Sequence, residues 1–458
     1  MLKPIPLTVD SSEGRAEIAT GCRLVNLYAE QVPSSKKTPA VLIGTPGLAP
    51  FVKLPTAPVY GMIEHAGFVY AVTATNLYRV AYDGSLLDLG NVTIAGKVWM
   101  ATNGVQIAFV DGLKGYWFHP ETGVTEFSGD GWYPANTVTV HDSRFVFNRK
   151  DTGQFFISGL LDVTLDPLDF ATAESSSDNL LGCISDSRYL ILPGKKTIEF
   201  WYNSGDGSFT FERIQGGIVD KGCAAVHSIA KTGSSVYWLG DDATVYRFIG
   251  YTPERISTHS VEYDIKKGRI DDAEAFTYID EGHSFYVLTF PSQRKTWCFD
   301  ATTGLWHERE HRGFGRVPAS CHVRFGTLNL VGDFQSGMIY SLDLNAADDH
   351  GTCITREVRF PVLYNGGRNV TVKSIELDVL HGVGRVSGKG ADPQAVFTWS
   401  DDEGKSWSNE HWRSLGKIGE RKARLKVNRL GVFLQRLFRV SISSPVKVVI
   451  QGLYADIQ

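Results

Sequence analysis

Apolar and polar positions alternate along most of this chain in short runs, broken by Gly- and Asp-rich turns. A period of two, with aromatic and β-branched residues on the buried positions, predicts strands rather than helices. The runs come in pairs. Phe68–Val72 is followed by Leu77–Val80, and Val105–Phe109 by Tyr116–Phe118. Arg144–Phe147 is followed by Gln154–Ile157, and Arg188–Leu192 by Ile198–Trp201. Ser235–Leu239 precedes Val245–Phe248, Phe285–Leu288 precedes Thr296–Phe299, and Thr327–Val331 precedes Met338–Leu342. Each pair reads as a hairpin closed by a tight turn, such as Asp83-Gly84 or Glu121-Thr122-Gly123. Further short strands are predicted ahead of some hairpins, at Val98-Trp99-Met100 and Val138–His141.

The pairs recur at roughly 36 to 49 residues, the spacing of a repeat architecture. One hairpin unit cannot cover both of its apolar faces. Stacking such units around a ring covers them and leaves only short edges. The pattern therefore predicts an all-β protein with a β-propeller over residues 56–345, of seven blades, with six also compatible with the loose spacing. A large β-sandwich with coincidental spacing is the competing reading. After a polar linker, Asn345–Gly351, the strands lengthen. Ser374–Val379 alternates with Ile375, Leu377 and Val379 facing in, Phe438–Ile442 alternates likewise, and Val446–Ile450 lies near the end. These predict a C-terminal β-sandwich over 353–458. Residues 1–55 are less regular, with turns at Pro33–Lys37 and Gly44–Leu48, and are expected to form an arm that packs on the propeller or on a neighbour.

Composition supports this. The chain has 458 residues, enough for about two or three domains. It is 43% hydrophobic and 12% aromatic, which excludes disorder, and its 47 Gly against 4 Met suit many turns and few long helices. With 46 Lys+Arg against 50 Asp+Glu, the formal charge is -4, unlike a free-standing nucleic-acid binder. No apolar run is long enough to span a bilayer, and the proline-interrupted start, Met1–Pro6, lacks a signal-peptide core. Six scattered cysteines without a C-x-x-C pair favour buried thiols and a reducing compartment.

Two motifs promise chemistry. His307-Glu308-Arg309-Glu310-His311 is a literal H-E-x-x-H, which on a helix would chelate zinc with the Glu as base. Its flanks, Gly304-Leu305-Trp306 and Gly313-Phe314-Gly315, predict a strand. There the two imidazoles would stand about 13 Å apart, too far for one zinc. A solvated outer strand of the sixth unit is expected instead. Ser400–Trp407 fits the S-x-D-x-G-x-[ST]-W turn of sialidase-type propellers, a structural staple that occurs once. A sialidase would also need three convergent Arg and a Tyr nucleophile, which spacing does not reveal, so a glycan-binding or glycan-processing propeller stays the alternative function. No phosphate loop or nucleophile elbow occurs. No catalytic residue, metal or cofactor is expected.

Charge is uneven near the end. From Lys405 to Lys447 eleven Lys/Arg face two acids, Glu410 and Glu420, a local balance of +9. Lys405, Arg413, Lys417, Arg421, Lys422, Arg424, Lys426 and Arg429 are the candidate interface residues, toward an acidic partner or passing nucleic acid. A plain solvated face is the competing reading.

Several segments resemble the packaged-DNA stabilisation or tail-hub proteins of short-tailed double-stranded DNA phages (podoviruses). They are Leu24–Glu30 followed by Thr45–Leu48, then Thr197–Gly205, Ile218–Gly222 and Leu437–Val446, in an order that covers nearly the whole chain. The resemblance implies a non-enzymatic virion tail protein, assembled in the host bacterial cytoplasm. It implies a homohexameric ring beneath the portal and its adaptor ring, prolonging the DNA channel. Such a ring carries tailspikes or fibres and a needle or plug, and keeps the packaged genome in until ejection. DNA would pass without sequence-specific contact, in keeping with the near-neutral charge.

Overall fold

The computed structural model describes residues 2–12, 14, 21–32, 38–173, 178–186, 188–205, 209–233, 235–420 and 422–457. Five stand-alone four-stranded sheets come first: blade 1 (59–91), blade 2 (99–126), blade 3 (138–172), blade 4 (184–219) and blade 5 (230–255). Blade 6 (274–308) and blade 7 are the four-stranded portions of two larger sheets, which makes seven around the ring. Trp99–Thr102 and Val138–His141, predicted as extra strands, are the first strands of blades 2 and 3. Among the described residues the only helical pieces are His259–Ile265 and a single turn at Val226–Ser228.

Blade 6 shows why the strands read as nearly continuous apolar runs. Tyr286 and Leu288 pack with Tyr237 and Leu239 of blade 5, while Phe285 and Val287 pack with Val331 and Tyr340 of blade 7. A sheet buried on both faces has no solvent side on which to place polar residues. Cys321 and Val323 of blade 7 meet Val59 and Met62 of blade 1, so the ring closes.

The N-terminal residues, expected as an arm, are woven into both domains. They form β1 (Leu2–Ile5), β2 (Arg23–Val25), β3 (Leu27–Gln31), β4 (Ala40–Gly44) and β5 (Gly47–Lys53). β5 is the fourth strand of blade 7, pairing antiparallel with Met338–Asp343 so that Leu48 faces Leu342. The ring is thus closed by a strand nearly 300 residues from its partner. Of the two expected turns, Pro33–Lys37 lies outside the described residues, and the second is the short link Thr45–Pro46 between β4 and β5.

The sandwich follows. One sheet runs β3, β4, Val449–Ile457, Val370–Val379 and Leu425–Asn428, with β1 on Val449–Ile457. The other sheet is continuous with the propeller. Leu305–Glu308 of blade 6 pairs with β2, and β2 pairs with Arg356–Arg359, which leads to Gln435–Ile442, Gln394–Ser400 and His411–Ser414. Ile375, Leu377 and Val379 face inward as predicted, with Phe438, Val440 and Ile442 opposite them in one core. All six cysteines are free; four are buried. No helix among the described residues is long and apolar enough to cross a membrane.

Candidate functional site

The H-E-x-x-H segment sits where β2 bridges the two domains. Glu308 ends the outer strand of blade 6 and lies beside Val25 in a parallel pairing. Because β2 covers this edge, Glu308 and His307 are each 2% exposed, and the expected solvated strand is overturned. The Glu308 carboxylate accepts two hydrogen bonds from Arg23, both 2.8 Å, and one from Lys295 at 2.6 Å. Burial alone would push this carboxyl up, but Arg23 and Lys295 overcome it and hold it at about 2. A carboxylate so engaged accepts no further proton near neutrality and is no general base.

The two histidines have separate surroundings. His307 packs against Tyr28 and Phe285, and burial followed by the Arg309 charge lowers it to about 3. His311 stacks on Phe314, with ring centroids 4.8 Å apart. The strand geometry over Leu305–Glu308 therefore serves packing, not zinc chelation. No group of three or more His, Cys, Asp or Glu among the described residues is placed to hold a metal.

Asn26 completes the joint. Its backbone is left-handed, with φ 54, and its amide donates to the carbonyls of Glu310 in the propeller and Thr355 in the sandwich, both 2.8 Å. Its side-chain oxygen accepts from Glu310 N at 3.0 Å. One residue thus ties three chain segments, and Asn tolerates this conformation better than most.

A second structured place is the propeller centre. Trp99 of blade 2 donates its indole N–H to His227 Nδ1, on the turn before blade 5, at 3.0 Å. Burial and then the nearby Lys97 charge lower His227 to about 3, so it is a neutral acceptor. Beside it Lys97 lies 3.8 Å from Glu274 of blade 6, and Arg316 lies 3.5 Å from the same carboxylate. A cavity of about 440 Å³ opens here, lined by Lys97, Glu274, Arg294 and Arg316. Arg294 is committed to the carbonyls of Gly313 and Phe314, and Arg316 lies over the Phe334 ring. Lys97 and Arg316 are thus turned to Glu274, and Arg294 to backbone carbonyls.

The Ser400–Trp407 turn is a staple. Asp402 accepts from Ser400 Oγ at 2.7 Å and from Ser406 N at 2.8 Å, and Trp407 Nε1 donates to Gly404 O at 3.1 Å. Hydrogen bonds from Ser406 and Ser400 hold Asp402 at about 2.

The described candidate cations differ in their surroundings. Lys405 projects from this turn, 3.9 Å from Glu403 and largely exposed. Arg424 makes a two-bond pair with Glu376, and Lys426 lies on the same strand pairing. Arg413 donates to the Lys426 carbonyl at 2.7 Å. These three gather where His411–Ser414 of one sheet meets Leu425–Asn428 of the other. Lys417 and Lys422 are exposed on the connecting loop, and Arg429 is exposed at a left-handed position, φ 63. Arg421 lies outside the described residues. Farther along, Arg436 is 4% exposed and pairs with Asp401, and Arg439 stacks on Trp407. Within this segment Arg424 and Arg436 are thus met by acids, Glu376 at the surface and Asp401 against a buried guanidinium. The joint residues Arg23, Asn26 and Glu308 carry no sequence motif for their role; only their shared intolerance of burial without partners hints at it.

A propeller and a sandwich are thus joined through one sheet, with the charges of Arg23, Lys295 and Glu308 spent on holding that joint. The model of the bacteriophage P22 Gp10 beta-propeller matches residues 20–347, and that of the Gp10 beta-sandwich matches residues 355–458. The chain belongs to this family of packaged-DNA stabilisation proteins, structural components of phage tails. A search of curated proteins returned no match. Among solved structures, PorZ of Porphyromonas gingivalis is 10% identical with a TM-score of 0.40, over 71% of this chain and 44% of PorZ. The Cps50 (Swd1) propeller of Myceliophteria thermophila is 7% identical with a TM-score of 0.45, over 64% and 98% of the two chains. BamB of Moraxella catarrhalis is 8% identical with a TM-score of 0.41, over 74% and 97%.

Proposed function

We propose that copies of this chain, six of them, form a ring beneath the portal and its adaptor ring at the virion tail. The ring prolongs the DNA channel, retains the packaged genome, and carries tailspikes or fibres outside and a needle or plug below. Its role is mechanical and no bond is made or broken by its side chains. Assembly takes place in the host bacterial cytoplasm, where six free thiols are at home.

The observation that carries this reading is the bond from Trp99 to His227 across the propeller axis. It leaves no room for a duplex through the propeller, so DNA passes between copies, each serving as a solid wedge. Sheet continuity through β2 makes the wedge stiff, because hinge motion would break the ladder between Val25 and Glu308. Cyclic rings use head-to-tail contacts. Exposed Lys405, Lys417, Lys422 and Arg429 are suited to the acidic face of a neighbour or of the adaptor. Native mass measurement of the chain mixed with its adaptor ring tests this: six copies per ring are expected, and any other closed number contradicts it.

A further inference from the structure

The same joint contains two buried cations that the protein faces with one carboxylate, Asp349. Arg309 follows Glu308 in the propeller and is 4% exposed; Arg356 opens a sandwich strand and is 3% exposed. Arg309 gives one N–H to the Pro46 carbonyl at 2.9 Å. Its Nε and one Nη find no protein acceptor among the described residues, nor do Nε and one Nη of Arg356. Thr45 Oγ1, 2% exposed at the link between β4 and β5, is likewise without a partner.

These groups share one small region. Arg309 holds Pro46, and Arg356 lies against Gly44, where an added Cβ would stand 2.5 Å from its Nε. Both guanidinium groups act on a single carboxylate, Asp349. Two fixed positive charges thus face one acid. Burial first, with Arg309 adding to it against Asp349, lowers the Arg356 pKa to about 10, which still leaves it charged at neutral pH. A buried charge without a counter-ion or a full set of hydrogen bonds is strongly destabilising. Of the three groups, Arg356 lines a cavity of about 500 Å³ that reaches the surface beside Lys447, and Gly44, next to Thr45, lines it too.

We propose that this joint binds one small oxyanion of phosphate or sulfate chemistry, held between Arg309 of the propeller and Arg356 of the sandwich, with the Thr45 hydroxyl donating to it. Guanidinium N–H groups match such an ion with paired hydrogen bonds. Burial selects a free ion, since a phosphate in a duplex cannot reach groups this deep. Glu30, half-buried, and Glu281, exposed, also line the cavity. The exposed Glu281 is screened by salt, whereas the buried guanidinium groups are not. The ion would link the two domains directly, beside the sheet, and its binding is a property of the single chain, whether or not copies assemble.

The test uses the full chain and inorganic phosphate, at constant ionic strength set with sodium chloride. A saturable rise in thermal midpoint and a broadened phosphorus-31 line for phosphate are expected, both reversed by competing sulfate. Arg356→Met and Arg309→Met should each weaken phosphate binding at least tenfold, while Arg413→Met leaves it unchanged. If a variant fails to fold, the line width and sulfate competition on the unaltered chain decide. Equal midpoints in phosphate and chloride with an unbroadened line would overturn the proposal, as would undiminished binding by both variants.

Discussion

Trp99 and His227 stand on opposite sides of the propeller, and the indole N–H of one meets the imidazole Nδ1 of the other at 3.0 Å. Blades 2 and 5 are three places apart around the ring, so this bond fixes the diameter of the centre. Trp99→Phe keeps the ring but leaves His227 without its donor, in a site whose burial keeps the imidazole neutral. A loss of about 1–3 kcal/mol in unfolding free energy is expected, read by chemical denaturation. An unchanged midpoint would show that the bond does not brace the ring.

Acid should loosen the joint between the domains. Glu308 is held at about 2 in the folded chain against an ordinary value of 4.5. The stability it contributes is complete above pH 4.5 and is lost as pH falls from there toward 2. Glu308→Gln removes the main carboxylate partner of Arg23 and Lys295, which keep Glu357 at 3.8 Å and Asp264 at 3.3 Å, so the expected cost at neutral pH is about 1–3 kcal/mol. The variant's stability should also depend less on pH below 4.5 than that of the unaltered chain. Denaturation curves collected across this window measure both effects.

Ring closure by β5 rests on a close approach that admits no side chain. A Cβ at Gly47 would lie 2.5 Å from the Asp348 carbonyl oxygen and would also strike that of Ala346, both backbone atoms. Gly47→Ala should therefore destabilise by about 1–3 kcal/mol and expose blade 7 to proteolysis. Gly96→Ala, where nothing stands within 4 Å, is the control and should change little.

The charged loop of the sandwich allows folding and assembly to be tested apart. Lys417 and Lys422 are exposed, so Lys417→Glu with Lys422→Glu should leave unfolding within about 0.5 kcal/mol. If these residues meet an acidic neighbour, the same double change slows ring formation, most strongly at low salt. Light scattering during assembly reads this, and an unaffected rate would remove the loop from the interface.

The hairpins were legible because their partners are neighbours in sequence. Phe145–Phe147 and Phe155–Ile157 sit a turn apart, and their alternation alone specifies the pair. Strands that pair over long distances leave no such local trace. Val25 beside Glu308, and Leu48 opposite Leu342, could not be read from either segment alone, so the N-terminal residues looked like an arm. The same blindness made His307 and Glu308 look solvated, since the strand that covers them begins at Arg23. Net charge was a poor guide to surface charge for a related reason: Arg424 and Arg436 meet acids that lie 48 and 35 residues away. The cross-axis pair is of this kind too, joining residues 128 apart.

If each copy is a solid wedge, the genome runs along the ring axis and through no propeller. Electron cryomicroscopy of DNA-filled particles, averaged over the tail, tests it most directly. The expected image is a ring of six wedges with a column of DNA density along the ring axis and none through any propeller. DNA density threading a propeller between Trp99 and His227, or a tail whose channel wall contains no copy of this chain, would contradict it.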